Sequence, residues 1–152
     1  MAQPLILLDT GILWLVVHPN ASKVSGPIRQ WMISRAQAGF EFAIPEICDY
    51  EARRELIRRP APKQLAYLDG LLRASTTYLP ITTSVMRRAS ELWAQMRRCG
   101  KPTASDDALD GDVILGAHWE HEHQKGRIAI VATTNLRHLT LFTDARLWED
   151  IS

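Results

Sequence analysis

Residues 5–11 have the sequence Leu-Ile-Leu-Leu-Asp-Thr-Gly, a short apolar run that ends in an acid. Four consecutive large apolar residues bounded by a polar one are typical of a β-strand buried on both faces, as in a parallel sheet. We therefore predict a first strand over residues 5–8. Ligands of open parallel sheets bind at the carboxyl ends of the strands, where Asp9 would lie. Asp9 is thus the first candidate functional residue.

The rest of the chain alternates strand-like runs with helical patterns. Further strands are predicted at 40–44, 78–81 and 128–131. Helices are predicted over 10–17, 27–39, 45–59, around 65–72, 85–100 and 111–124, and a polar loop is predicted over 100–110. Strands that alternate with helices imply right-handed crossovers, so we expect an α/β fold, a three-layer α/β/α arrangement with a central parallel sheet. No linker or repeat suggests a second domain, and we expect 1–152 to form a single domain.

Composition excludes several classes of protein. Hydrophobic residues make up 46% of the 152 residues and charged residues 23%, which is typical of a globular chain. The net charge of +1 provides no global field for a polyanion, so such a site must be local. Two distant cysteines, Cys48 and Cys99, argue against a disulfide scaffold and suit a reducing cytoplasm. We expect neither a signal peptide nor a membrane span.

Three acids and one amide occupy positions that suit a site at one edge of the sheet. Glu51 lies in the helix predicted after the second strand, Asp112 at the start of the helix predicted from 111, and Asn135 follows the last strand-like run. Carboxylates that arrive from separate segments repel one another, and a hard cation is the ordinary remedy. Mg²⁺ or Mn²⁺ with open positions for a phosphate is the arrangement used by phosphodiester hydrolases.

Each of these residues also has a purely structural interpretation. Asp9 and Asp112 are both suited to cap a helix N-terminus, and Asp110 competes with Asp112 for that role. Glu51 is suited to pair with neighbouring arginines on a solvated helix face, and Asn135 to form a turn. The residues alone leave both interpretations open.

Four segments in order carry a more specific signal. They are Leu-Leu-Asp9-Thr10-Gly11, Ile-Pro-Glu-Ile-Cys-Asp-Tyr-Glu51-Ala-Arg-Arg-Glu-Leu, Gly-Asp112-Val-Ile-Leu-Gly-Ala-His and Val-Ala-Thr133-Thr134-Asn135-Leu-Arg-His-Leu. Over nearly the whole chain this succession resembles the PIN-domain ribonuclease family, which includes the VapC-type toxins of toxin–antitoxin pairs. Each motif is degenerate singly, whereas four in order at suitable intervals are fairly specific.

The resemblance implies several properties of this chain. It implies an α/β/α fold, Mg²⁺ or Mn²⁺ at the acidic cluster, an RNA substrate, a homodimer and inhibition by a small cognate antitoxin protein. Carried over by position, Asp9, Glu51 and Asp112 would be the catalytic residues and metal ligands, and Asn135 would be a further metal ligand. Thr10 and Thr133 would orient ligands or waters.

The chain departs from the family pattern at the fourth acidic position. Asn135 stands where an Asp is frequent, and His138 stands where another acid sometimes occurs. This departure leaves the presence of a second metal ion open. Asp110, two residues before Asp112, is a candidate to compensate for it.

The expected function is a metal-dependent endoribonuclease, the toxin of a type II toxin–antitoxin module. One alternative is a non-catalytic PIN-like protein for RNA binding or interaction, in which the missing fourth acid reflects a lost active site. Another is a metal-dependent phosphatase or DNA nuclease that uses the same acidic cluster.

Overall fold

The computed structural model describes residues 3–74, 76–99 and 106–152. Strands and helices alternate through most of this part of the chain. In chain order they are β1 (Leu5–Leu8), α1 (Thr10–Val16), α2 (Gly26–Gln37), β2 (Glu41–Pro45), α3 (Glu46–Arg58), α4 (Pro62–Arg73), β3 (Thr76–Leu79), α5 (Thr83–Arg98), α6 (Asp106–Gln124), β4 (Ala129–Thr133) and β5 (Ala145–Leu147). Single helical turns at Ala21–Ser25, Leu139–Leu141 and Trp148–Asp150 complete the described structure. No helix in these ranges is long and apolar enough to cross a membrane.

The five strands form one parallel sheet in the order β3-β2-β1-β4-β5. β1 is central, with Leu7 opposite Ala43 of β2 and Val131 of β4. All four residues of β1 are fully buried although alternate side chains point to opposite faces, so both faces of the sheet are covered. The prediction of an α/β/α fold with a central parallel sheet is confirmed.

Most element boundaries follow the sequence signals, but two strands differ from the prediction: β5 (Ala145–Leu147) was not predicted, and β3 is shifted. β3 spans Thr76–Leu79 rather than the predicted 78–81. Its first residues are polar and partly or fully exposed, so an apolar pattern could not reveal them. Pro80 lacks the N–H that a further ladder bond would need.

The prediction of a polar loop over 100–110 is wrong for its second half. Residues 100–105 lie outside the described residues, but α6 begins at Asp106 and runs through Asp112. Asp and Gly favour loops over helices by propensity, and packing overrides that preference here. Leu109, Val113 and Ala117 recur every four residues and pack against buried side chains of α5. Asp112 therefore lies inside a helix rather than at its start.

Candidate functional site

A cavity of about 750 Å³ opens beside the carboxyl ends of β1 and β4. Its wall includes Asp9 directly after β1, Glu51 from α3, Asp112 from α6 and Asn135 after β4. The structure thus brings four residues that are distant in sequence into one cavity. The register of the sheet explains why Asp9 and Asn135 meet. Leu8 of β1 pairs with Ala132 of β4, so the two strands end at the same edge.

Asp9 has a structural role and a place in the cavity at once. It is the N-cap of α1, where its Oδ1 accepts a hydrogen bond from the Thr10 N–H at 2.8 Å. Its Oδ2 accepts one from the Thr133 hydroxyl at 2.7 Å. Burial raises the pKa of Asp9, and the bonds from Thr133 and Thr10 and the charge of Arg137 oppose that rise. Asp9 therefore caps α1 and lines the cavity with the same carboxylate.

Glu51 faces the cavity rather than solvent. Its Oε1 accepts a hydrogen bond from the Thr10 hydroxyl at 2.8 Å, and its Oε2 lies 4.0 Å from the guanidinium of Arg54. The close arginine pair expected for a solvated face occurs one turn later, between Glu55 and Arg58. Thr10 and Thr133 thus each donate a hydroxyl to one acid.

Asp112 is a buried acid with one oxygen that lacks a partner among the described residues. The residue lies within α6, and the oxygen without a hydrogen-bond partner is Oδ2. Burial raises the pKa of Asp112 to about 6; Arg137 opposes this, and Asp9 and Glu51 add to it. Its position inside α6 excludes the N-cap interpretation. Because buried polar atoms nearly always have partners, the Oδ2 atom marks a place for a group of opposite charge.

The donor set fits a hard divalent cation, although it is not arranged as a finished metal site. In the described ranges no three His, Cys, Asp or Glu side chains are placed to hold a metal ion together. Without a cation, repulsion keeps the carboxylates of Asp9, Glu51 and Asp112 apart. Hydrogen bonds from threonine hydroxyls hold the carboxylates of Asp9 and Glu51. The all-oxygen donors and the partnerless Asp112 Oδ2 suit Mg²⁺ or Mn²⁺.

The fourth position of the acidic pattern has a different organisation. Asn135 lines the cavity, but its Oδ1 accepts the N–H of Arg137 at 3.2 Å and its own N–H donates to the Thr133 hydroxyl at 3.1 Å. Asn135 therefore forms the turn that its residue type favours. His138 is buried. Asp110 is exposed and lines a separate cavity beside α5, so the structure does not bring it to the acids.

Sequence reasoning assigned no role in the cavity to two residues of its wall, Arg137 and Trp14. Arg54, Arg59 and Arg137 place positive charge around the acids, and Trp14 contributes a half-exposed indole. Two signals were available. Trp14 lies four residues after Thr10 and so shares its face of α1, and Arg137 lies within the last of the four motifs.

Gly111 leaves room for the carboxylate of Glu51, so a substitution at Gly111 tests the role of that carboxylate. A Cβ atom at Gly111 would lie 2.7 Å from Glu51 Oε2. We expect Gly111→Ala to displace that carboxylate and weaken Mn²⁺ binding about 10-fold, as changes to groups that orient metal ligands do. Stability is expected to change little, because alanine also favours the helix by up to about 1 kcal/mol.

The measurement is Mn²⁺ titration by calorimetry together with thermal unfolding. Gly70→Ala is the matched control, because Gly70 lies within α4 and its added Cβ would meet no atom within 4 Å. Equal Mn²⁺ affinity in the two variants would contradict a role for Glu51 in holding the ion.

Three of the solved structures that resemble this chain are VapBC proteins. A DNA-bound VapBC from Salmonella typhimurium aligns with a TM-score of 0.69 at 18% identity, over 95% of this chain and 98% of that chain. VapBC2 from Rickettsia felis, bound to a DNA fragment from its promoter, aligns with 0.68 at 14% identity, over 94% and 96%. This chain has a PIN-like fold. VapBC-1 from nontypeable Haemophilus influenzae shares the PIN-like fold with a TM-score of 0.62 at 13% identity, over 96% and 99%.

No protein-family model matches the sequence, and no curated protein matches it either. At identities of 13–18% the likeness establishes the PIN-like fold and not the activity. The fold expected from the four motifs is therefore confirmed. The roles of the residues in the cavity have to be argued from their carboxylates, hydrogen bonds and burial.

Proposed function

We propose that this protein is a metal-dependent endoribonuclease that acts as the toxin of a type II toxin–antitoxin module. One observation carries the proposal: three carboxylates from three separate elements line one cavity at the carboxyl edge of a parallel sheet. Such a cluster is costly to bury without a cation, and Asp112 retains a buried oxygen with no partner among the described residues. The PIN-like fold shared with VapBC structures supports the same activity.

In this proposal Asp9, Glu51 and Asp112 hold Mg²⁺ or Mn²⁺, with Asn135 beside them. A divalent cation bound there would activate a water and offset negative charge on the phosphate. The Thr133 hydroxyl fixes the Oδ2 of Asp9, and the Thr10 hydroxyl fixes the Oε1 of Glu51. These bonds keep two of the carboxylates oriented towards the cavity, which lowers the cost of assembling the site.

The cavity wall suits a nucleic-acid strand. Arg54 and Arg59 at the C-terminal part of α3 and Arg137 after β4 line the cavity and provide positive charge for backbone phosphates. Trp14 is 44% exposed, which leaves a surface on which an unpaired base can stack. Because the net charge of the chain is only +1, this local arrangement has to supply the attraction.

The proposed partners follow from the resemblance and from the comparisons. The similar structures are VapBC proteins, which supports a small cognate antitoxin as the protein partner. A homodimer is part of the same proposal, with residues 1–152 acting as one PIN-like domain.

The test is cleavage of pooled cellular RNA with Mg²⁺, Mn²⁺ or EDTA. We expect RNA cleavage only when metal is present. In Asp9→Asn the cleavage rate should fall at least about 100-fold. Asparagine is a good N-cap, so this variant is expected to fold. Asp150→Asn, an exposed acid outside the cavity, is the matched control. RNA binding without any cutting would support the non-catalytic alternative. Faster hydrolysis of DNA or small phosphoesters would support the other nuclease or phosphatase alternative.

A further inference from the structure

The loop after β4 contributes an arginine to the wall of the acidic cavity. Arg137 lines the same cavity as Asp9 and Asp112, and its side chain is exposed. No ion pair of 4.0 Å or less joins Arg137 to an acid in the described part of the chain.

The backbone of Arg137 is held in an unfavourable conformation. Its φ is 38°, and among the described non-glycine residues Arg137 is the only one with a positive φ. Positive φ is costly for a side chain such as arginine, and such strain is concentrated at functional sites because surrounding contacts maintain it. The contact here is the bond from the Arg137 N–H to Asn135 Oδ1.

The same bonds connect this strained turn to the acidic cluster. The Asn135 N–H donates to the Thr133 hydroxyl, and that hydroxyl donates to Asp9 Oδ2 at 2.7 Å. The backbone of Arg137 is therefore linked to Asp9 through Asn135 and Thr133. The asparagine at the fourth acidic position of the PIN pattern uses its side chain to hold the backbone from which the arginine extends.

Charge balance indicates what this arginine does. The cavity wall carries four acids (Asp9, Glu51, Glu55 and Asp112) and three arginines (Arg54, Arg59 and Arg137), a net charge of −1 when all are ionised. One divalent cation and the single negative charge of a phosphodiester bring the sum to zero, whereas a second divalent cation would leave an excess of two positive charges. A guanidinium also offers two parallel N–H donors to a phosphate, which suits it to the place of a second ion.

We propose that Arg137 is a catalytic residue that donates to a non-bridging oxygen of the scissile phosphate, in a site that works with one divalent cation. The proposal rests on the proposed ribonuclease function. In the hydrolysis a water oxygen bonds to phosphorus as the bond to the leaving ribose oxygen breaks; the hydroxyl of the water stays on phosphorus and its other proton goes to the leaving oxygen. Negative charge grows on the phosphate oxygens during this exchange, and Arg137 stabilises it there.

Two variants separate the charge of Arg137 from its backbone strain. Arg137→Asn removes the charge and tolerates positive φ, and Arg137→Lys keeps the charge without the paired donors. We expect kcat to fall about 100-fold in Arg137→Asn and about 10-fold in Arg137→Lys, with KM for RNA changed less than 3-fold. Arg146→Ala, an exposed arginine paired with Asp144 on β5, is the control and should leave kcat unchanged.

Mn²⁺ calorimetry supplies a measurement that does not need cleavage. We expect one ion per chain in the wild type, and Mn²⁺ binding that is several-fold tighter in Arg137→Asn because a repelling charge is gone. Two ions per chain, or an unchanged kcat in Arg137→Asn with an active wild type, would overturn this proposal while leaving the ribonuclease intact. Absence of cleavage by the wild type would overturn both.

Discussion

Replacing Asp112 with asparagine is expected to lower the rate of metal-dependent RNA cleavage by at least about 100-fold. At neutral pH the same substitution is expected to make the metal-free protein more stable. The loss of cleavage follows because the variant removes a negative charge from the cation site, and even groups that only support metal ligands change metal affinity or activity about 10- to 100-fold. The gain in stability follows because the wild-type carboxylate is buried with an oxygen that has no partner among the described residues.

The sign of the pH dependence follows from the pKa of Asp112. Its pKa is raised to about 6 from an ordinary value of 3.8, so the folded protein holds a proton that the unfolded chain releases between these values. The contribution of Asp112 to stability is therefore highest below about pH 4 and is lost as pH rises through 6. Allowing for partial solvation at the cavity wall, the loss is about 1–3 kcal/mol.

Urea unfolding in EDTA from pH 4 to pH 8 measures this effect. The difference between Asp112→Asn and the wild type should be near zero at pH 4 and should reach its maximum above pH 6, and other titrating groups cancel in that difference. Asp110→Asn is the matched control on the same helix, since Asp110 is exposed and lies outside the acidic cavity. A pH-independent difference, or undiminished cleavage by Asp112→Asn, would contradict the assigned role.

The sequence predicted the parts of this site that depend on local chemistry. An apolar run before Asp9 indicated a buried strand, and the end of a parallel strand is where ligands bind, so Asp9 could be placed in advance. The order of strands within the sheet could not be obtained in the same way, because it depends on packing between distant segments. β4 lies beside β1 although more than 100 residues separate them.

Other parts of the site could not be read from the sequence because they depend on tertiary contacts. The hydrogen bond from Thr10 to Glu51 joins residues 41 positions apart, through the contact between α1 and α3. The extension of α6 back to Asp106 depends on packing against α5, which overrides the loop preference of its Asp and Gly residues. The backbone conformation of Arg137 depends on a turn closed by the side chain of Asn135.

Adding Mn²⁺ is expected to raise the thermal unfolding midpoint of this protein, and to raise it more at pH 7.5 than at pH 5.5. At 100 times the dissociation constant, an ion that binds only the folded state stabilises it by about 2.7 kcal/mol. For a chain of this length that corresponds to a shift of about 5–10 °C. Protons compete with the ion at low pH, because ligands must be ionised to bind it.

The size of the pH effect follows from the acids that would hold the ion. With the pKa of Asp112 at about 6, its protonation at pH 5.5 lowers the Mn²⁺ affinity about 4-fold, and the raised pKa of Asp9 adds to this. The shift should disappear in Asp9→Asn, where the N-cap of α1 is kept, and should persist in Asp150→Asn. A midpoint shift that is equal at the two pH values, or that survives in Asp9→Asn, would mean that the ion binds elsewhere. The carboxylates of the cavity would then need another source of positive charge, and Arg137 is the residue placed to supply it.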